Sequence, residues 1–337
     1  MQVFICRQPR TRGYRGMTSM TSEVPHDPIF GAMEAVGDAW SWMILQEAMF
    51  HGTTRFNDFQ QRLGIARKVL ANRLDILTRS ELFDRRALKG GGATLEYVLT
   101  ARGWDFFPCL AVAMRWGERW FGEAAPPVHA LHREPQHPFR AVLCCAHCAK
   151  PIQAHDVSVV SMHRASSALI GAKRQRTPDL DLLDQSAANP MVSTLRFVGD
   201  RWSALVIREC FLGTRRFGEF AEHLGIAPNI LTSRLDRLVT LGALVKRPYQ
   251  TNPIRYEYRL TEMGFDLYAV PLAMLTWGER WLSPGRQGTH LRHNPCGRPL
   301  VAILTCETCG EPATGADVAY STDPAGTVGT GGVTGAQ

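Results

Sequence analysis

The chain contains one sequence twice, and that duplication limits its fold more than any other feature. Val36-Gly37-Asp38-Ala39-Trp40 returns as Val198-Gly199-Asp200-Arg201-Trp202 at an offset of 162, and Leu63-Gly64-Ile65-Ala66 returns as Leu224-Gly225-Ile226-Ala227 at 161. The 161 spacing holds for Arg73-Leu74-Asp75 with Arg234-Leu235-Asp236, and for Trp116-Gly117-Glu118-Arg119-Trp120 with Trp277-Gly278-Glu279-Arg280-Trp281. It ends at Cys145-x-x-Cys148 and Cys306-x-x-Cys309. Solenoid and propeller periods run to about 50 residues, so a period this long means two complete domains. The 337 residues, 45% hydrophobic and 20% charged, are enough for two cores.

The bulk numbers exclude some partners and favour others. No apolar run approaches the roughly 18 residues of a membrane span, so no membrane is expected. A formal net charge of +7 and a pI near 9.1 suit an anionic partner, or simply solubility. Nine cysteines, two Cys-x-x-Cys pairs and no secretory signal fit metal sites in a reducing cytoplasm better than a disulfide framework. Residues 1–24 carry Arg7, Arg10, Arg12 and Arg15 without periodicity and are set outside the fold, as disorder or a mis-assigned start with Met17 or Met20 as the true one. From Ser321 a Gly, Thr and Ala tail follows. The stretch after Val157, with Lys173-Arg174-Gln175-Arg176 and then Asp179, Asp181 and Asp184, is linker-like, and its bounds are drawn at 159–188.

Within copy one, Ile29 to Val36 and Trp42 to Met49 have apolar positions at helical spacing, interrupted by Gly37-Asp38. Phe56, Phe59 and Leu63 form the apolar stripe of a short helix that Gly64 ends. Leu70, Leu74 and Leu77 stripe the next helix, from about Ala66 to Arg79. Copy two repeats this with Phe217, Phe220, Leu224, Gly225 and then Leu231, Leu235 and Leu238, with Pro228 in the first turn. This pattern predicts a helix-turn-helix or an ordinary helical hairpin. The next segment favours the former. Phe83 to Arg86 and Thr94 to Leu99 flank Lys89-Gly90-Gly91-Gly92, and Leu244 to Pro248 and Arg255 to Leu260 flank Gln250 to Pro253. A hairpin directly after the second helix is a wing. Long helices are then expected over Ala101 to Phe121 and Glu262 to Leu282.

Gly-Asp-x-Trp, Arg-Phe, Leu-Gly-Ile-Ala, Leu-x-x-Arg-Leu-Asp-x-Leu, Glu-Tyr-x-Leu-Thr and Trp-Gly-Glu-Arg-Trp, in this order and twice over, resemble the HxlR family of bacterial winged helix-turn-helix regulators. The resemblance implies a cytoplasmic, nucleoid-associated transcription regulator, most simply a repressor, that binds double-stranded DNA. Because family members pair as homodimers, a tandem chain is similar to a dimer written into one polypeptide, with further dimerisation open. The expected fold is mainly α with small β wings: winged helix-turn-helix domains over 25–122 and 189–283, each followed by a zinc-ribbon-like segment, 123–158 and 284–320. Members that sense oxidants carry a cysteine before the proline opening the first helix. Here Asp27 and Asn189 stand there, so that switch is absent. Cys109 and Cys210 read as core residues.

Phosphate contacts are expected from Arg55 and Arg216 before the turn, Arg73 and Arg234 on the recognition helices, and the wing residues Arg85, Arg86, Lys89, Lys246, Arg247 and Arg255. Base edges would be read by Arg67, Lys68 and Asn72, with Ala71, in copy one, and by Asn229, Thr232 and Ser233, beside Pro228, in copy two, though each could also simply face solvent. The reading heads are therefore unlike. His293-x-x-Cys296 and Cys306-x-x-Cys309 offer four ligands for a structural zinc in the second ribbon. In the first, His132, Cys145 and Cys148 persist, Pro135 replaces the fourth ligand, and His137 or Cys144 fills the gap, or the segment is metal-free. Six of eight tryptophans lie at repeat-matched positions and either form core and dimer seam or line a pocket for a small-molecule effector. No phosphate-binding loop, dinucleotide fingerprint or nucleophile elbow occurs, and no enzyme is expected. The rival reading is a metal-responsive or protein-binding adaptor whose ribbons do the binding and whose winged helices serve as pairing modules.

Overall fold

In the computed structural model, which describes residues 27–87, 95–122, 129–133, 136–162, 189–282 and 289–321, each copy opens on two capped helices. Asp27 caps α1 (Pro28–Val36) by accepting from the Phe30 amide at 3.0 Å, and Asp38 caps α2 (Ala39–His51) by accepting from Ser41. Next come α3 (Phe56–Leu63) and α4 (Arg67–Arg79). Gly64 joins them at φ +62°, a conformation that needs no Cβ. Leu70, Leu74 and Leu77 are fully buried, as the stripe predicts. The wing follows as β1 (Phe83–Ala87) and β2 (Leu95–Leu99), antiparallel, with residues 88–94, and so the expected contact Lys89, outside the described residues.

The long helix expected next is broken into α5 (Ala101–Trp104) and α6 (Phe107–Phe121). Pro108 is the reason: it has no N–H for the Trp104 carbonyl, so a continuous helix would lose that bond. Copy two repeats the plan as α7 (Pro190–Val198), α8 (Arg201–Phe211), α9 (Phe217–Leu224), α10 (Pro228–Thr240), β7 (Leu244–Thr251), β8 (Ile254–Leu260), α11 (Glu262–Asp266) and α12 (Ala269–Trp281). Pro271 lies just inside α12 and enforces the same break.

The copies pack against each other through α1 on α12 and α6 on α7. A Cβ on Gly117 would overlap the Pro190 carbonyl, and one on Gly278 the Pro28 carbonyl. The glycine of Trp-Gly-Glu-Arg-Trp therefore admits the partner helix. Its other residues complete the seam. Trp116 Nε1 donates to the Met263 carbonyl (3.2 Å) and Trp277 Nε1 to that of Arg102 (3.1 Å), while Trp120 and Trp281 donate to Asp266 (2.7 Å) and Asp105 (2.6 Å). Phe106 lies edge-on to Trp42 at 5.0 Å and to Trp277 at 5.4 Å, so one aromatic chain crosses from core to core. These tryptophans are core and seam, and Trp277 also lines a cavity. Gly117→Ala should lower stability by about 1–3 kcal/mol, read as a fall in unfolding midpoint. Gly218→Ala, with open space around it, should be neutral or slightly stabilising; equal losses in both would remove the close-approach argument.

Arg119–Asp266 and Arg280–Asp105 cross the seam as a repeat-related couple, but two pairs that join α1 and its cap to α8 have no such counterpart. Arg208 pairs with Asp27, both buried, and Arg201 pairs with Glu34 at 2.8 Å. At the repeat-related places stand Gln46, which accepts from the Asn189 amide at 3.2 Å, and Ala39 with Arg196.

The segments after α6 and α12 do not form one ribbon per copy. Strands β3 (His129–His132), β4 (His137–Pro138), β5 (Ala141–Cys145) and β6 (Val157–Ser161) belong to copy one, and β9 (His290–His293), β10 (Arg298–Pro299), β11 (Ala302–Cys306) and β12 (Val318–Ser321) to copy two. They interleave: β5 pairs with β11, β6 joins β9 and β10, and β12 joins β3 and β4. Val157–Ser161, placed at the junction with the linker from sequence, is thus a strand whose partner lies in the other copy.

Candidate nucleic-acid interface

The recognition helices expose one face each. On α4, Arg67, Lys68, Ala71 and Asn72 are exposed opposite the buried leucines, and on α10 Pro228, Asn229, Thr232 and Ser233 stand in the same places. The Arg67 guanidinium lies 5.0 Å from the Phe56 ring centroid, which supports its stem without blocking its N–H groups. The Thr232 hydroxyl donates to the Pro228 carbonyl (2.9 Å) and retains its lone pairs for a donor.

Around each helix lies a rim of cations. Arg55, Arg85, Arg86, Arg216, Lys246, Arg247 and Arg255 are all exposed. Arg85 makes a surface pair with Asp75 (3.2 Å) and Arg86 one with Asp84 (3.5 Å), pairs worth about 0–1 kcal/mol and readily exchanged for a phosphate. The wings are sewn to the segments that lead into α3 and α9, since the Tyr97 amide donates to the Thr54 carbonyl (2.8 Å) and the Tyr258 amide to that of Arg215 (2.8 Å). Arg215 and the half-exposed Tyr249 and Tyr256 of the second wing were not singled out from sequence. Arg216 sits over Tyr249 at 4.5 Å and Lys246 over Tyr256 at 4.7 Å. Strand alternation carried the signal, because Pro248-Tyr249 reads equally well as turn.

Arg73 and Arg234 require correction as phosphate contacts. Arg73 turns inward to Asp38 and Arg234 to Asp200 at 3.0 Å, with only 14% and 12% of each side chain exposed. Asp38 and Asp200 themselves meet in a β-bridge between the copies, and the Ala39 amide donates to the Gly199 carbonyl at 3.0 Å. The two recognition helices are therefore tied, arginine to aspartate, to one joint. Burial pushes the Asp38 carboxyl above its usual range, against the pull of Arg73.

Cysteines and histidines gather in two places, and not by copy. His132 and His137 meet Cys306 and Cys309, while Cys145 and Cys148 meet His293 and Cys296, all ligand atoms in each set lying within 4.8 Å of one another. The expected groupings, His293 with Cys306 and His132 with Cys145, are exchanged because β5 and β11 run antiparallel and carry each Cys-x-x-Cys to the other copy's histidines. The knuckle turns repeat nevertheless: Ala149 takes φ +56° where Gly310 takes +78°. Cys109 and Cys210 are pushed up foremost by burial, as befits core thiols.

A short helix, a glycine turn, a recognition helix and a wing, twice over, define a winged helix-turn-helix protein. The HxlR-like helix-turn-helix family model matches residues 35–125 and again 197–286, over half of the chain, which therefore belongs to the HxlR family of transcription regulators. The chain is 41% identical over 145 residues to MT3179 of Mycobacterium tuberculosis, described as an uncharacterized HTH-type transcriptional regulator, a match covering 43% of this chain and 92% of that protein. It is similar to two others so described: sll1512 of Synechocystis (37% over 94 residues, 28% of this chain and 70% of that) and YdeP of Bacillus subtilis (33% over 93, 27% and 73%). Each relative is about one copy long. The family is one of regulators rather than enzymes, and among the described residues no helix is long and apolar enough to cross a membrane.

Proposed function

We propose that the chain is a repressor that binds double-stranded DNA as a covalent pseudo-dimer, on an operator of two unlike half-sites read in fixed orientation. The observation that carries this reading is the joint at Asp38 and Asp200, which ties both recognition helices together while their exposed faces differ. A homodimer presents two identical heads and selects a palindrome with half-sites about one helical turn apart. Arg67, Lys68 and Asn72 suit guanine and adenine edges, whereas in copy two only Asn229 suits adenine and Thr232 and Ser233 are permissive. Replacing either half-site by a copy of the other should cost on the order of 1–3 kcal/mol per mismatched base pair. Selection from random DNA followed by footprinting tests this. A non-palindromic consensus bound by one chain is expected, and a strict palindrome bound by two chains overturns the reading. A steep fall of log K with log salt separates DNA binding from an adaptor role for the ribbons.

A small-molecule effector has a candidate cavity of about 1080 Å³, lined among others by Phe50, Trp104, Trp277, Arg280 and Tyr320. That volume and aromatic lining suit a planar ligand, with Arg280 and its ion-pair partner Asp105 (2.6 Å) as the polar groups at the wall.

A further inference from the structure

The exchanged cysteines and histidines have the dimensions of a metal's coordination shell. A tetrahedron built on the ~2.3 Å Zn–S and ~2.05 Å Zn–N bonds of structural sites has edges of about 3.8 Å between sulfurs, about 3.5 Å between sulfur and nitrogen and about 3.3 Å between nitrogens. Cys145 and Cys296 sulfurs lie 3.9 Å apart, and His293 Nδ1 is 3.4 Å from the sulfurs of both Cys148 and Cys296. In the other cluster His132 Nδ1 is 3.4 Å from Cys309 Sγ and 3.4 Å from His137 Nε2. No edge given departs by more than a few tenths of an ångström.

The surroundings agree. The described cysteines are all free, so neither cluster is a disulfide. His137 Nδ1 lies 2.9 Å from the Pro138 carbonyl, a partner that can only accept, so Nδ1 carries the proton and the Nε2 lone pair faces the cluster. His132, His293, Cys145 and Cys306 are buried, where water cannot satisfy them. Two nitrogens and two sulfurs, or one nitrogen and three sulfurs, in a tetrahedron are ligand sets that select zinc over magnesium or calcium, which take oxygen.

We propose that the chain binds two structural zinc ions, each held by both copies: one by His132, His137, Cys306 and Cys309, the other by Cys145, Cys148, His293 and Cys296. Four protein ligands close each shell and leave no open position for chemistry. Each ion bolts the end of one copy to the end of the other, at a distance from the helix-turn-helix. The proposal does not depend on what the recognition helices bind, and its test needs no DNA.

The full chain, purified under reducing conditions without chelator, is assayed for metal by elemental analysis. Two zinc ions per chain are expected, and none would overturn the proposal. Paired substitutions then read the exchange. Cys296→Ser with Cys309→Ser damages both sites and should leave no zinc, whereas His132→Ala with Cys309→Ser damages one and should leave one. The opposite result, one ion in the first and none in the second, would mean that each copy holds its own metal. Should the variants misfold, the unsubstituted protein loaded with cadmium-113 decides by proton–cadmium correlation. One ion coupled to Cys306 and Cys309 with His132 and His137 supports the exchange; one coupled to Cys296, Cys306 and Cys309 together overturns it.

Discussion

Arg208→Gln should destabilise the chain by about 3–5 kcal/mol, and adding Asp27→Asn should return part of that loss. The single change leaves Asp27 as a buried carboxylate without its cation, which is the costly way to break such a pair. Both side chains are only 5% exposed. The double change installs Asn against Gln, and the protein already uses that pair across the seam at Asn189 and Gln46. Asn at position 27 can still cap α1. Glu209, buried and paired with Arg208 at 2.9 Å, loses that cation in both variants but keeps Thr214 at 3.0 Å and His223 at 3.1 Å. Urea unfolding of the four members of the cycle measures the coupling; a double variant no more stable than Arg208→Gln would show that the pair is not what Arg208 contributes.

The same pair selects which copies meet. Two second copies placed face to face would set Arg208 against Asn189 and Arg201 against Arg196. Two first copies would set Asp27 against Gln46 and Glu34 against Ala39. Only unlike copies set Arg208 against Asp27 and Arg201 against Glu34, so like pairing forfeits two charge pairs across the seam and sets Arg201 against Arg196.

Arg73→Ala should cost about 3 kcal/mol of stability while leaving the salt slope of DNA binding unchanged, and Arg247→Ala, at an expected phosphate contact of the second wing, should do the reverse. Asp38 is 4% exposed and caps α2 at the joint between the copies, so removing Arg73 strands a buried charge. Arg247 is exposed and carries no carboxylate partner among the described contacts, and surface substitutions of that kind change stability by about 0.5 kcal/mol or less. Each phosphate contact contributes about 0.9 to the slope of log K on log salt. Salt titrations beside unfolding curves check both halves. A slope lowered by about one in Arg73→Ala, with stability intact, would return that residue to the phosphate backbone.

What the sequence disclosed was whatever is written in local period. The leucine stripes, the turn glycines and the basic wings are legible because each follows from spacings of a few residues. Arg73 reads as a phosphate contact because it sits at the edge of a polar helix face, while its partner Asp38 lies 35 positions back at a helix cap. The exchange of cysteines and histidines between the copies leaves no trace in the sequence. Grouped by copy or across copies, the two sets hold the same numbers of nitrogen and sulfur atoms, so composition and spacing are identical in both arrangements. Antiparallel pairing of β5 with β11 decides between them, and that register is a property of the assembled molecule. The break at Pro108 was readable in principle, but a strong apolar period over the whole segment masked it.

The interleaved strands also govern how the chain can be made. Synthesis proceeds at about 5–20 residues per second, and N-terminal domains ordinarily fold as they emerge. Here β3, β5 and β6 of the first half leave the ribosome without β12, β11 and β9, their partners, for a time of roughly ten to thirty seconds at that rate. Until then the nascent chain displays open strand edges, with Val159 and Val160 beside them, of the kind that recruit neighbouring polypeptides. The first half is thus born incomplete and depends on its own downstream sequence to finish it, so messages truncated between the copies should yield insoluble product rather than a small working regulator.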